Sequence, residues 1–93
     1  MFKVAALYKF SEIDNPLEVQ ISLKKILKKL SIYGTILVGS EGINGTIAAK
    51  NEKNLNKALM HLKNLKGFND LDIKFSDSKK NPFIRSVSYT HLR

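Results

Sequence analysis

The chain has 93 residues, 43% of them hydrophobic, and a net charge of +8 from 16 Lys plus Arg against 8 Asp plus Glu. That describes one small domain with enough apolar content for an ordered core, and it excludes wholesale disorder. The lack of cysteine excludes disulfides, a thiolate nucleophile and zinc–thiolate chemistry, and no apolar run approaches the ~20 residues of a membrane span.

Val4 to Phe10 reads as a short apolar strand ending in aromatic residues. Ser11-Glu12-Ile13-Asp14 is a connector. Asn15 is placed to cap a helix, with Pro16 at its first position and Glu18 at capping-box spacing. Val19, Leu23, Ile26, Leu27 and Leu30 then recur at helical spacing through about Ser31, and Gly34 is expected to stop the element in a left-handed conformation. Thr35–Gly39 reads as a second strand and Gly45–Ala49 as a third. A glycine-rich loop joins them. Asn51 caps a second helix whose core face is Leu55, Ala58, Leu59, Leu62 and Leu65, and Gly67 closes it. Leu71 to Ser76 alternates apolar and polar residues as a half-buried fourth strand. Asp77 to Pro82 is a polar turn, followed by Phe83-Ile84-Arg85.

The order β-α-β-β-α-β implies an α+β fold: a ferredoxin-like (acylphosphatase-like) sandwich, with a four-stranded antiparallel sheet and two helices on one face. No linker is visible before Asp77. Met1 to Leu7 lacks the long apolar region of a signal peptide because Lys9 interrupts it, so cytoplasmic is the default location.

Chemistry is concentrated at Glu41-Gly42-Ile43-Asn44-Gly45-Thr46, preceded by Gly39-Ser40. A plain hairpin needs one Asn-Gly or Asp-Gly pair, so glycines at 39, 42 and 45 exceed that need. Two readings stand: an elaborate turn with a bulge, or a binding loop whose successive amides form an anion-binding concavity. Glu41 is either a turn residue accepting backbone N–H bonds or a functional carboxylate. Asn44 offers an amide to a base or ribose, and on the turn reading it takes positive φ. The loop lacks the lysine–serine end of a phosphate-binding loop. Ser40 superficially resembles a nucleophile elbow, but a strand follows it and no triad can be assembled. His61 has no second histidine or other metal-ligand partner in sequence, and reads as a partly exposed helix residue.

The positive charge favours polyanions through phosphate neutralisation. Fourteen of the 16 basic residues are lysine, which reads base edges poorly, so sequence-specific recognition is not indicated. Lys24, Lys25, Lys28 and Lys29 fall off the apolar stripe of the first helix, and are candidates for nucleic-acid contact or simply a solvated face. Acylphosphatase chemistry needs an arginine-bearing cradle after the first strand, where this chain has acidic Ser11-Glu12-Ile13-Asp14. An RNA-recognition motif needs stacking aromatics on its central strands, and Thr46-Ile47-Ala48-Ala49 has none. Tyr8 and Phe10 are read as core or interdomain contacts.

Ala6-Leu7-Tyr8-Lys9-Phe10, the run from Gly34 through Glu41-Gly42-Ile43-Asn44-Gly45-Thr46 to Ala48, and Lys74-Phe75-Ser76 together resemble the amino-terminal domain of the rhodanese-related tRNA uridine hydroxylases. The resemblance spans roughly Phe2 to Arg85. It implies an accessory domain, catalytically silent alone, joined in cis to a rhodanese-like domain with a reactive cysteine. The family is associated with oxygen-dependent 5-hydroxylation of the wobble uridine of tRNA. The resemblance therefore implies tRNA as partner and molecular oxygen as reactant, with no cofactor site identifiable in this chain. It places Ser40, Glu41, Gly42, Asn44 and Gly45 at a substrate-binding or interdomain position, and Lys24, Lys25, Lys28 and Lys29 against nucleic acid. A free-standing ferredoxin-like binding or regulatory module for a small anionic ligand is the alternative.

Val87-Ser88-Tyr89-Thr90-His91-Leu92-Arg93 fits nothing before it. It matches one reading frame of a common transposase sequencing adapter. The expectation is a domain over residues 1–85 and a non-native tail over 86–93. A genuine short strand is the alternative, since Val, Tyr and Thr suit one.

Overall fold

The computed structural model describes residues 2–80 and the backbone of 88–92. The elements are β1 (Phe2–Phe10), α1 (Pro16–Lys29), β2 (Tyr33–Gly39), β3 (Gly42–Ala49), α2 (Glu52–Lys63), β4 (Asp72–Ser78) and β5 (Ser88–Leu92). The sheet order is β4-β1-β3-β2-β5. Its first four strands pair antiparallel, which is the expected four-stranded sheet. β5 adds a fifth strand, parallel to β2 with Val38 opposite Leu92. The boundary expected at Arg85 and the segment Phe83-Ile84-Arg85 lie outside the described residues.

Both helices start on the caps expected of them. The Asn15 side-chain oxygen accepts from the Glu18 amide at 3.2 Å, and its amide nitrogen donates to the Glu18 carboxylate at 3.1 Å. Asn51 accepts from the Lys53 amide at 2.9 Å. Each cap satisfies a helix-end donor that would otherwise have no partner. Leu23 and Leu27 of α1 and Leu55, Ala58, Leu59 and Leu62 of α2 are buried against Ala5, Leu7, Ile36, Val38, Ile43 and Ile47 of the sheet. Strand alternation then sends the even residues of β1 to the opposite, open face.

Three expectations need correction. Gly34 does not stop α1: it lies within β2 at φ 126, and the left-handed residue is Ser31 at φ 54. The Ile32 amide donates to the Leu27 carbonyl at 2.9 Å, and Ile32 is buried, so the chain must reverse before Ile32 rather than after it. Phe75 points to the helix side, opposite Ala5, yet stands 52% exposed rather than packed into the core, because β4 is an edge strand. β4 also extends through Asp77 and Ser78, taking the start of the expected polar turn. The Ser31 conformation carries a consequence, since a side chain at positive φ costs about 1–2 kcal/mol. Ser31→Gly is therefore expected to stabilise the domain by roughly 0.5–1 kcal/mol, read as a melting temperature raised by several degrees. An unchanged or lower melting temperature would show that Ser31 is not strained.

Candidate functional site

The glycine-rich segment is a tight hairpin tip and not an open loop. β2 ends at Gly39, which pairs with Gly42, the first residue of β3. Only Ser40 and Glu41 form the turn. Neither has positive φ; the unusual dihedral falls on Gly42, at φ 148. A Cβ there would collide with the carbonyl oxygen of Lys9 and lie 3.0 Å from Phe10 Cα. Gly45 faces the same problem across the other strand pair, where a Cβ would collide with the Thr35 carbonyl oxygen and lie 2.8 Å from Ile36 Cα. These glycines let β3 lie close against β1 and β2, a job that hairpin rules applied to the tip do not reveal. Two carbonyls at the tip also hold the chain leaving β1: Ser11 N–H donates to Glu41 O at 3.0 Å and Ile13 N–H to Ser40 O at 2.9 Å.

The candidate residues separate into three places. Ser40, Glu41 and Gly42 form the tip. Asn44 lies within β3, opposite Tyr8 on one side and Leu37 on the other, exposed on the open face and without positive φ. Gly45 serves as a backbone spacer beside it. Lys24, Lys25, Lys28 and Lys29 are all exposed on α1. That helix begins beside the hairpin tip, and Lys28 and Lys29 occupy its last turn. A 14-residue helix is about 21 Å long, so these lysines and the tip do not form one pocket.

Charge is segregated along the strand direction. Glu12, Asp14, Glu18, Glu41, Asp70 and Asp72, six of the eight carboxylates, lie at the end of the sheet that carries the hairpin tip. A pocket of about 280 Å³ opens there between the β1–α1 connector and the chain after α2, floored by Ile13, Leu65 and Phe68 and rimmed by Glu12, Asp14, Glu18 and Lys66. Its carboxylates disfavour a phosphate, as the connector sequence implies. At the same end Lys9 Nζ meets Asp70 at 2.9 Å. That hydrogen bond holds the Lys9 ammonium above its ordinary pKa and the Asp70 carboxyl below its own. The pair thus favours the fold between those two limits. It loses its contribution as pH falls through the lowered Asp70 value or rises through the raised Lys9 value. His61 approaches Ser22 at 3.4 Å between the helices, in keeping with a partly exposed helix residue. Among the described residues no group of three or more metal-ligating side chains comes together. No helix among them is long and apolar enough to cross a membrane.

Sequence reasoning left one feature of the open face undescribed, the groove joining Asn44, Thr46, Ala6, Asp72 and Lys74. The alternation of β4 marks Asp72 and Lys74 as lying off the core face, but pairing β4 with β1 needs the tertiary register.

The architecture places the chain among acylphosphatase-like α+β proteins. Solved structures share it, among them acylphosphatase from Bacillus subtilis, which at a TM-score of 0.66 and 12% identity covers 100% of this chain and 99% of its own. Full-length HypF in its phosphate- and nucleotide-bound form gives a TM-score of 0.69 at 10% identity over 100% of this chain and 12% of its own. At such identities the likeness defines the fold alone. The family follows from sequence: residues 2–88 match the UPF0176 acylphosphatase like domain, and the chain belongs to that family. It is similar to the tRNA uridine(34) hydroxylases of Acinetobacter baumannii (strain AYE), 40% identical over 86% of this chain and 25% of the relative, and of Caulobacter vibrioides (strain NA1000 / CB15N), 37% over 90% and 26%. That of Prochlorococcus marinus (strain MIT 9515) is 38% identical over 88% and 27%. The chain spans about a quarter of the length of these relatives.

Proposed function

We infer that this chain is the amino-terminal accessory domain of a cytoplasmic, oxygen-dependent tRNA wobble-uridine 5-hydroxylase. The observation that carries the reading is the 36–40% identity to tRNA uridine(34) hydroxylases over 86–90% of the chain. The chain has no cysteine, so a catalytic thiol belongs to a rhodanese-like domain in cis, outside these 93 residues. The domain itself binds and positions. Its helix layer exposes Lys24, Lys25, Lys28 and Lys29 on α1 and Lys53, Lys57 and Lys63 on α2, a cationic surface suited to a phosphate backbone. The hairpin tip and Asn44 belong to the side that meets the catalytic domain. Molecular oxygen reacts in the full-length enzyme.

The test uses the full-length enzyme with Lys24, Lys25, Lys28 and Lys29 changed to Gln, which keeps helix propensity while removing charge. tRNA binding is expected to weaken, and the salt dependence of log K to flatten by about 0.9 for each duplex phosphate that is no longer neutralised. Unchanged affinity and slope would leave these lysines as a solvated helix face and remove α1 from the tRNA interface.

A further inference from the structure

The open face of the sheet carries the exposed aromatic residues of β1. β1 presents Phe2, Val4, Ala6, Tyr8 and Phe10 there, β2 Tyr33, Thr35 and Leu37, and β3 Asn44, Thr46 and Ala48, because residues paired across strands share a face. Two edge-to-face aromatic pairs stand on it. Tyr8 and Phe10 have ring centroids 5.8 Å apart at 74°, and Phe2 and Tyr33 5.9 Å apart at 69°. A shallow groove of about 700 Å³, with small side chains Ala6 and Thr46 in its lining, opens beside Tyr8. The first pair is uncovered: Tyr8 is 49% exposed and Phe10 73%.

Charge decides what covers it. In a chain of net charge +8, Lys74 is the one lysine among the described strand residues on this face, and Asp72, opposite Tyr8, offsets it. Glu41, next to the Gly42 that pairs with Phe10, adds a second carboxylate at this end. Among the described strand residues a single-stranded RNA would meet Lys74 offset by Asp72, while the helix layer behind offers seven exposed lysines. Exposed aromatic anchors around a neutral groove with an amide and hydroxyls at hand match the centre of a protein–protein interface. About three quarters of the length of the curated relatives lies outside the part this chain matches.

We propose that the open sheet face is the docking surface for the catalytic domain that follows in the full-length enzyme, with Tyr8 and Phe10 as its anchors and Asn44 and Thr46 as the polar groups beside them. The domain is then two-faced: helices towards tRNA, sheet towards its own enzyme. This rests on the reading of the chain as one domain of a hydroxylase. A genomic reading frame that stops at the Arg85 codon ends that reading before any docking is measured.

Where the frame continues, hydroxyl-radical footprinting of the full-length protein tests the surface. Phe75, 52% exposed on the helix side, serves as an internal standard for Phe10. Docking predicts that Phe10 oxidises several-fold more slowly than Phe75 although it is the more exposed in the isolated domain. Phe10→Glu should raise Tyr8 oxidation several-fold while circular dichroism stays unchanged. Phe10 oxidising as fast as Phe75 overturns the proposal. So does protection that appears only with tRNA, which would make this an RNA surface, or only at concentrations where the enzyme dimerises. Tyr8 oxidation unchanged by Phe10→Glu also overturns it.

Discussion

Gly42→Ala is expected to destabilise the domain by roughly 2–4 kcal/mol, from a side chain forced to positive φ and a methyl driven into neighbouring backbone. The obstacles are the Lys9 carbonyl oxygen and Phe10 Cα. Neither belongs to a side chain that can swing aside, so β1 and β3 must part at the point where Phe10 pairs with Gly42. Gly45→Ala should cost roughly 1–3 kcal/mol for the same reason on the β2 side, without the dihedral contribution. Urea midpoints for the two variants measure both effects. A wild-type midpoint for Gly42→Ala would mean that the hairpin tip opens freely, and would return its extra glycine to the binding-loop reading.

That pair of glycines shows where sequence reasoning stopped. Periodic features were legible because they are local: the Leu23–Leu27 and Leu55–Leu62 stripes, the Asn15 and Asn51 caps, and the alternation from Leu71 to Ser76 all follow from spacing within one element. From these the order of elements and the antiparallel sheet could be assembled. The reason for Gly42 and Gly45 lies on other strands, at Lys9 and Thr35, and no spacing rule within residues 39–46 reports it. The same limit governs the candidate site. Asn44 and Glu41 are three residues apart in sequence, yet one faces away from the helices in mid-sheet and the other sits in the turn. The α1 lysines and the hairpin tip, both attractive as sequence, prove to be separated along the helix axis. Conversely Tyr8, Asn44 and Asp72 become neighbours only when β1 acquires β3 on one side and β4 on the other.

Charge segregation was equally invisible in one dimension. Net charge identified a cationic protein, but the grouping of six carboxylates at the hairpin end depends on β1, β3 and β4 sharing one register. The consequence is directional. A polyanion approaching the hairpin end meets like charge, and one approaching the helix layer meets lysine. This favours a polyanion against the helices on electrostatic grounds, with a preference that added salt should weaken.

Isolated apolar residues in connectors were the other blind spot, and they carry the second large expected effect. Ile13, Ile32 and Phe68 lie outside the periodic stripes, yet all three are buried, and Phe68 is the largest fully enclosed side chain among the described residues. It sits one residue after Gly67, whose φ of 86 turns the chain so that the ring enters the core between Leu65 and Leu71. The Phe68 amide donates to Leu65 O at 2.9 Å and its carbonyl accepts from the Leu71 amide at 3.2 Å, so backbone as well as ring is fixed. Phe68→Ala should therefore cost roughly 3–5 kcal/mol through lost burial and the cavity left behind. At roughly 0.05–0.15 kcal/mol per residue a domain of this size holds only about 5–14 kcal/mol, so the variant should be marginal or unfolded at 37 °C. Phe75→Ala, which removes a ring only about half buried at an edge position, should cost about 1 kcal/mol. Paired thermal melts of these two variants read the contrast directly. Equal losses would place Phe68 and Phe75 in equivalent surroundings and contradict the burial of the α2–β4 connection.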